Sequence, residues 1–152
     1  MSRRHTHHTL RRRRQVARIP RAGRDPITGA DDALAVISLA MDHPLTHETI
    51  AFGLDGDRCG NVITVVSGTE SPDAVIDVVE VLCRSMEMQP RGTGLVVASI
   101  RPWAATLPGD VDRWLEASAV AESFGIELVE WFVIGPPGAE CPRELIGEPE
   151  RW

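Results

Sequence analysis

The chain has 152 residues, 43% of them hydrophobic, which suits one domain built around one core. Its sixteen basic residues are all Arg: nine fall within residues 1–24, which carry no acid, while residues 25–152 hold seven Arg against all 22 acids, a net of −15. Three widely spaced cysteines, Cys59, Cys83 and Cys141, argue against a disulfide framework or a zinc ribbon and point to a reducing cytoplasmic setting, and no stretch is apolar enough to span a bilayer.

Residues 1–30 read as a disordered, flexible basic arm. No apolar run follows "RRRRQVARIPRAGRD", so it lacks the core of a secretory or twin-arginine signal. Arg3, Arg4, Arg11, Arg12, Arg13, Arg14 and Arg18 are its candidate nucleic-acid contacts, since such a block neutralises several phosphates in a salt-dependent way. It has no aromatic residue to stack on bases, so this binding to DNA or RNA would be non-specific. The same charges also suit an acidic protein or this chain's own acidic body. His5, His7 and His8 form a short cluster able to hold a transition metal loosely.

Next, Asp31 is placed to cap a helix over Asp32–Met41 that buries Ala33, Val36, Ile37, Ala40 and Met41. "ETIAFGLD" alternates Ile50, Phe52 and Leu54 on one face, "NVITVVSG" is rich in β-branched residues, and "DGDRCG" separates them, so residues 48–67 read as a β-hairpin. Ser71 and Pro72 open an amphipathic helix with Val75, Val78, Val79, Leu82, Cys83 and Met86 on one stripe. "GLVVASI", residues 94–100, is an unbroken apolar run expected of a strand covered on both faces. A helix follows with Val111, Trp114, Ala117, Ala121 and Phe124 inward, stopped by Gly125, and "IELVEWFVIG" forms the last strand. The body, residues 31–135, is therefore α/β with a mixed β-sheet flanked by helices. Residues 136–152 are Pro-rich and aperiodic, an expected irregular tail whose Leu145, Ile146 and Trp152 pack back onto the body.

The loop "SIRPWAATLPGDVD", residues 99–112, leaves one strand, passes Pro102 and Pro108 and enters a helix with an acid in its first turn. With the "SGT" after the hairpin, the crossover helix and a final strand ending in Ile-Gly, the chain resembles the RadC-like branch of the JAB/MPN (JAMM) domains across roughly residues 31–135. The resemblance implies a cytidine-deaminase-like layered domain and, in active relatives, a hydrolytic zinc centre. Carried across by position, the two metal-ligand His fall on Ser99 and Arg101, the ligand Asp on Asp112, and the Glu that acts on metal-bound water on Glu48. Trp131 stands where such relatives carry another His.

A zinc site needs about three ligands with lone pairs converging on the ion and an open position for water. Ser99 offers a neutral hydroxyl, and a guanidinium has no lone pair to give, so Arg101 cannot ligate. No His occurs after His47, and His43 and His47 lie outside the family's ligand spacing. No zinc or other cofactor is therefore expected, and Glu48, Ser99, Arg101 and Asp112 read as a vestigial site. One expectation is that Arg101 turns toward Asp112 and Glu48, its charge standing where a cation sits in relatives; the alternative leaves Arg101 in solvent and Asp112 decorating its helix N-terminus. The functional expectation is an inactive RadC/JAB-like pseudoenzyme that binds a protein partner, Trp103 at the loop tip either serving as an exposed anchor or packing over the vacated site, with nucleic acid held by the arm; oligomers are allowed. Rivals are a metal-dependent peptidase or nuclease-like hydrolase using Glu48 and Asp112, and a plain nucleic-acid-binding protein.

Overall fold

The structure, a computed structural model, describes residues 18–87 and 93–152. Their elements run α1 (Ala30–Ser38), β1 (Glu48–Leu54), β2 (Gly60–Ser67), α2 (Ala74–Glu87), β3 (Gly94–Ile100), α3 (Asp110–Ser123), β4 (Glu127–Gly135), β5 (Gly138–Glu140) and a 3-10 helix, Pro142–Ile146. The mixed sheet has the order β2-β1-β3-β4-β5. β1 is antiparallel to both β2 and β3, β3 and β4 are parallel, and β5 returns antiparallel to β4.

Side-chain alternation divides the core into two layers. Ile50, Phe52 and Leu54 of β1, with Val96, Ala98 and Ile100 of β3, pack on Ala33, Val36 and Ile37 of α1. Ala51, Leu95 and Val97 point the other way, onto Val75, Val79 and Cys83 of α2 and Trp114, Ala117 and Ala121 of α3. Helices thus cover both faces of β3, which explains its continuous apolar run; Ser99 is its one residue that is not fully buried.

Three sequence readings need correction. α1 starts at Ala30 with Gly29 as N-cap, and the side chain that ties its entry is Asp32, which accepts from Thr28 N–H at 3.0 Å and Thr28 Oγ1 at 2.9 Å; Asp31 does not cap it. Residues 18–29, assigned to the arm, lie against the body: Gly23 N–H donates to Gly60 O at 3.0 Å, Ile27 N–H to Arg58 O at 2.8 Å, and Ile27 is buried. The earlier arginines, Arg3, Arg4, Arg11, Arg12, Arg13 and Arg14, and His5, His7 and His8 lie outside the described residues.

The tail is the third. It is not irregular throughout, because β5 adds a strand and Pro142–Ile146 a helical turn. Leu145 and Ile146 face solvent, while Trp152 does pack on the α1 layer. Polar contacts do most of the anchoring: Arg143, buried, donates through Nε to Glu130 Oε2 at 2.9 Å and through Nη1 to Glu148 O at 2.8 Å. Trp114 Nε1 donates to Glu148 Oε2 at 2.9 Å, and the Arg151 guanidinium lies 4.5 Å from the Trp114 ring centroid. No spacing rule marks such pairs, since each joins residues from separate elements.

Gly135 closes β4 where the loop after β3 crosses it. A Cβ there would lie 2.5 Å from Ala104 O and 3.2 Å from Arg101 O, both backbone atoms that yield only if the loop moves. Gly135→Ala should therefore lower unfolding free energy by about 1–3 kcal/mol, measured by denaturant titration; a neutral result would mean the loop does not press on β4.

Candidate functional site

The loop over residues 101–109 begins where parallel pairing ends. Arg101 N–H donates to Ile134 O at 2.8 Å, adding one rung beyond β3, and the side chain then turns back under the loop. Arg101 Nη1 lies 2.7 Å from Asp110 Oδ2 and Nη2 2.9 Å from Oδ1, a two-pronged pair, with a further bond of 3.1 Å from Nη1 to Ala105 O. The Asp110 side chain is fully buried and that of Arg101 is 8% exposed. The guanidinium carbon also sits 5.9 Å from the Trp131 ring centroid.

Asp110 gathers more donors. Leu107 N–H reaches its Oδ2 at 2.7 Å and Arg113 Nη1 its Oδ1 at 3.0 Å, and Arg113 Nε continues to Asp73 Oδ1 at 2.7 Å. One chain of charge, Arg101–Asp110–Arg113–Asp73, thus ties the loop to the first turn of α3 and to the turn before α2. Burial by itself would push the Asp110 carboxyl up, but hydrogen bonds from Arg101, Leu107 N–H and Arg113, with the Arg101 charge, outweigh it and hold the group below its ordinary value of 3.8. α3 needs Gly109 just before it, at φ +89°, a backbone conformation glycine adopts without strain.

Neither alternative for Arg101 holds whole: it is buried, and not in solvent, but its partner is Asp110 in place of Asp112 or Glu48, while Asp112 does sit exposed in the first turn of its helix. Two residues along a helix turn the side chain through about 200°, so when Asp110 faces the loop Asp112 faces away, and Asp112 is exposed. Glu48 is also elsewhere. It registers with Ile100, which belongs to the α1 layer, and its buried carboxylate accepts from Asp42 N–H at 3.2 Å. Ser99, one residue from Ile100, points to the opposite face and accepts from Trp131 Nε1 at 2.9 Å. Of the four positions that the resemblance singled out, only Ser99 and Arg101 share a space.

That space is a cavity of about 60 Å³ between the ends of β1 and β3 and the turn before α2, bordered by His47, Thr49, Thr69, Ser71, Ser99 and Arg101. Thr49 stands opposite Ser99 across the strands and donates from Oγ1 to Thr69 Oγ1 at 2.9 Å. Trp103, also on its border, is 87% exposed. His47 lines the cavity but His43 does not.

Zinc, which the resemblance implies for active relatives, does not fit these residues. Arg101 brings a permanent positive charge, the Ser99 hydroxyl is engaged by an indole, and the carboxylates of Glu48 and Asp112 diverge. Among the described residues, no three His, Cys, Asp or Glu gather in a metal-binding arrangement. All three cysteines are free, and burial pushes the Cys59 thiol up, the Cys83 thiol up to about 11 and the Cys141 thiol, with help from Glu130 and Glu144, up to about 12, each away from the reactive thiolate.

Sequence reasoning missed Asp110, Arg113 and Asp73. The available signal was "GDVD", two acids in one helical turn, of which only the one facing β3 can pair; the direction of that face is not written in the spacing. Among described residues no helix is long and apolar enough to cross a membrane. No family model, curated protein or solved structure matches the chain.

Removing one partner of a buried pair leaves the other charge uncompensated, so Asp110→Asn should cost about 3–5 kcal/mol at pH 7. Because the Asp110 pKa is depressed in the fold, its stabilisation is present above the ordinary carboxylate range and disappears as pH falls through the folded value. The gap between wild type and Asp110→Asn in chemical denaturation should accordingly narrow below about pH 3.8; a gap independent of pH would contradict the ion pair.

Proposed function

We propose that this chain is a catalytically inactive RadC-like JAB/MPN domain that serves as a protein-binding module, with the loop around Trp103 as its contact surface. One observation carries the reading: Arg101, which the resemblance sets at a metal-ligand His position, is locked to Asp110 by two hydrogen bonds. The scaffold supports it as well. Hairpin, crossover helix, buried strand, proline-bounded loop, helix and a strand ending in Ile134 and Gly135 occur in the expected order, with β5 added after them.

The rival hydrolase reading needs Glu48 and Asp112 to converge, and they lie on different sides of the sheet and helix. A solvent-facing indole on the border of a small cavity, as Trp103 is, is a common type of interface hot spot, since an indole offers a large apolar area on few rotatable bonds. Nucleic acid, on this proposal, is a second partner, held through phosphate contacts by the arginines of residues 1–24.

Tag-free protein should carry far less than one zinc per chain by elemental analysis, and stoichiometric zinc would overturn the proposal. Trp103→Ala should weaken capture of the protein partner from nuclease-treated extract by at least about tenfold, the loss expected of a hot-spot residue, while leaving the melting temperature unchanged. Undiminished capture would remove Trp103 from the interface.

A further inference from the structure

β2 is the outer strand of the sheet, and among the described residues nothing pairs with its free side over most of its length. The segment from Gly23 to Ile27 covers only one end, through the Gly23 bond to Gly60 O and a bridge from Pro26 to Cys59. From Asn61 to Ser67 the strand pairs, among the described residues, with β1 alone. A bulge, with Asn61 and Val62 set against Gly53, bends it near the covered end.

Alternation tells which backbone groups are free. Gly68 N–H donates to His47 O at 2.8 Å; counting back in twos along the antiparallel ladder turns the amides and carbonyls of Ser67, Val65 and Ile63 away from β1. Such a row is satisfied by water or by another extended backbone. Beyond the bulge and the covered end, the side-chain devices that discourage a second strand are missing here. No charged residue and no Pro occurs between Gly60 and Gly68, and Val62 and Val65 are 76% and 42% exposed. The opposite edge, β5, is only three residues long.

The geometry points to a second copy of this chain as the occupant, its β2 laid antiparallel on this one about a two-fold axis at Thr64. Thr64 is the midpoint of residues 61–67. Read outward from it, the strand is nearly the same in both directions: Ile63 and Val65, Val62 and Val66, Asn61 and Ser67, Gly60 and Gly68. Across the axis Thr64 meets Thr64, Ile63 meets Val65 and Val62 meets Val66, pairs that favour strand association. Ile63 and Val65 of the two copies exchange about four backbone hydrogen bonds. Exposed Arg24 lies toward the Gly60 end, where Arg18 is taken up by Asp25 at 3.8 Å, and exposed Glu70 lies beyond Ser67, so in this orientation Arg24 of each copy approaches Glu70 of the other. One patch used by both copies closes at two chains and joins two five-stranded sheets into one.

The test uses the full-length, nuclease-treated chain in about 0.5 M salt, which suppresses bridging by the basic arm. Sedimentation velocity over roughly 1–100 µM should show a shift from 16.6 kDa to twice that mass. Val65→Pro removes an amide that faces away from β1, so it spares the hairpin and should raise the dimer dissociation constant at least about tenfold with an unchanged circular dichroism spectrum. Thr64→Cys, placed on the axis, should form an intermolecular disulfide on mild oxidation, whereas Val66→Cys, which faces Val62, should not. A single-chain mass throughout, a dimer indifferent to Val65→Pro, or a dimer that Thr64→Cys fails to cross-link would each overturn the proposal. If Val65→Pro does not fold, the cysteine pair decides.

Discussion

Where β3 ends, a guanidinium and a carboxylate are buried together, and the geometry of the whole loop follows from keeping that pair neutral. An Arg enters the interior only when its charge is matched and its donors are used. Asp110 supplies the match, Ala105 O and the loop backbone supply the acceptor and donor that remain, and Arg113 passes the arrangement on to Asp73 beside α2. The first turn of α3 is placed by this requirement as much as by its apolar stripe.

The same pair decides what the site can do. A centre that activates water needs lone pairs aimed at one point and room for an ion. Here the lone pairs of Asp110 are spent on Arg101, Leu107 N–H and Arg113, and those of Glu48 face the other layer. The small cavity left beside Ser99 is bordered by hydroxyls and an exposed indole. The sheet adds a second surface of a different kind. One edge is short, whereas the other offers an uncharged, β-branched backbone ladder to whatever extended chain approaches it.

Periodicity made most of the scaffold legible. Alternation identified the β1–β2 hairpin, the unbroken run from Gly94 to Ile100 identified a doubly covered strand, and the stripe through Val75, Val79 and Cys83 identified a helix docked on a sheet. These signals are local, because burying one face of a regular element imposes its own period on the chain. The tail was misread for the complementary reason. Its anchor is polar and long-range, Arg143 on Glu130 and Glu148 on Trp114, and such contacts leave no period behind.

Residue type alone settled that Ser99 and Arg101 cannot grip an ion as two imidazoles would, since lone-pair chemistry does not depend on folding. Which acid Arg101 would meet was a matter for the tertiary structure. Asp110 and Asp112 are equivalent in type and two residues apart, and only the rotation of α3 against β3 turns one inward and the other to solvent. Likewise the alternation of β1 is plain in its sequence, but the register with β3 is what sets Glu48 on the face away from Ser99. Chemistry belongs to the residue and can be read singly; convergence belongs to pairs, and the distance between pairs exists only once the elements have packed.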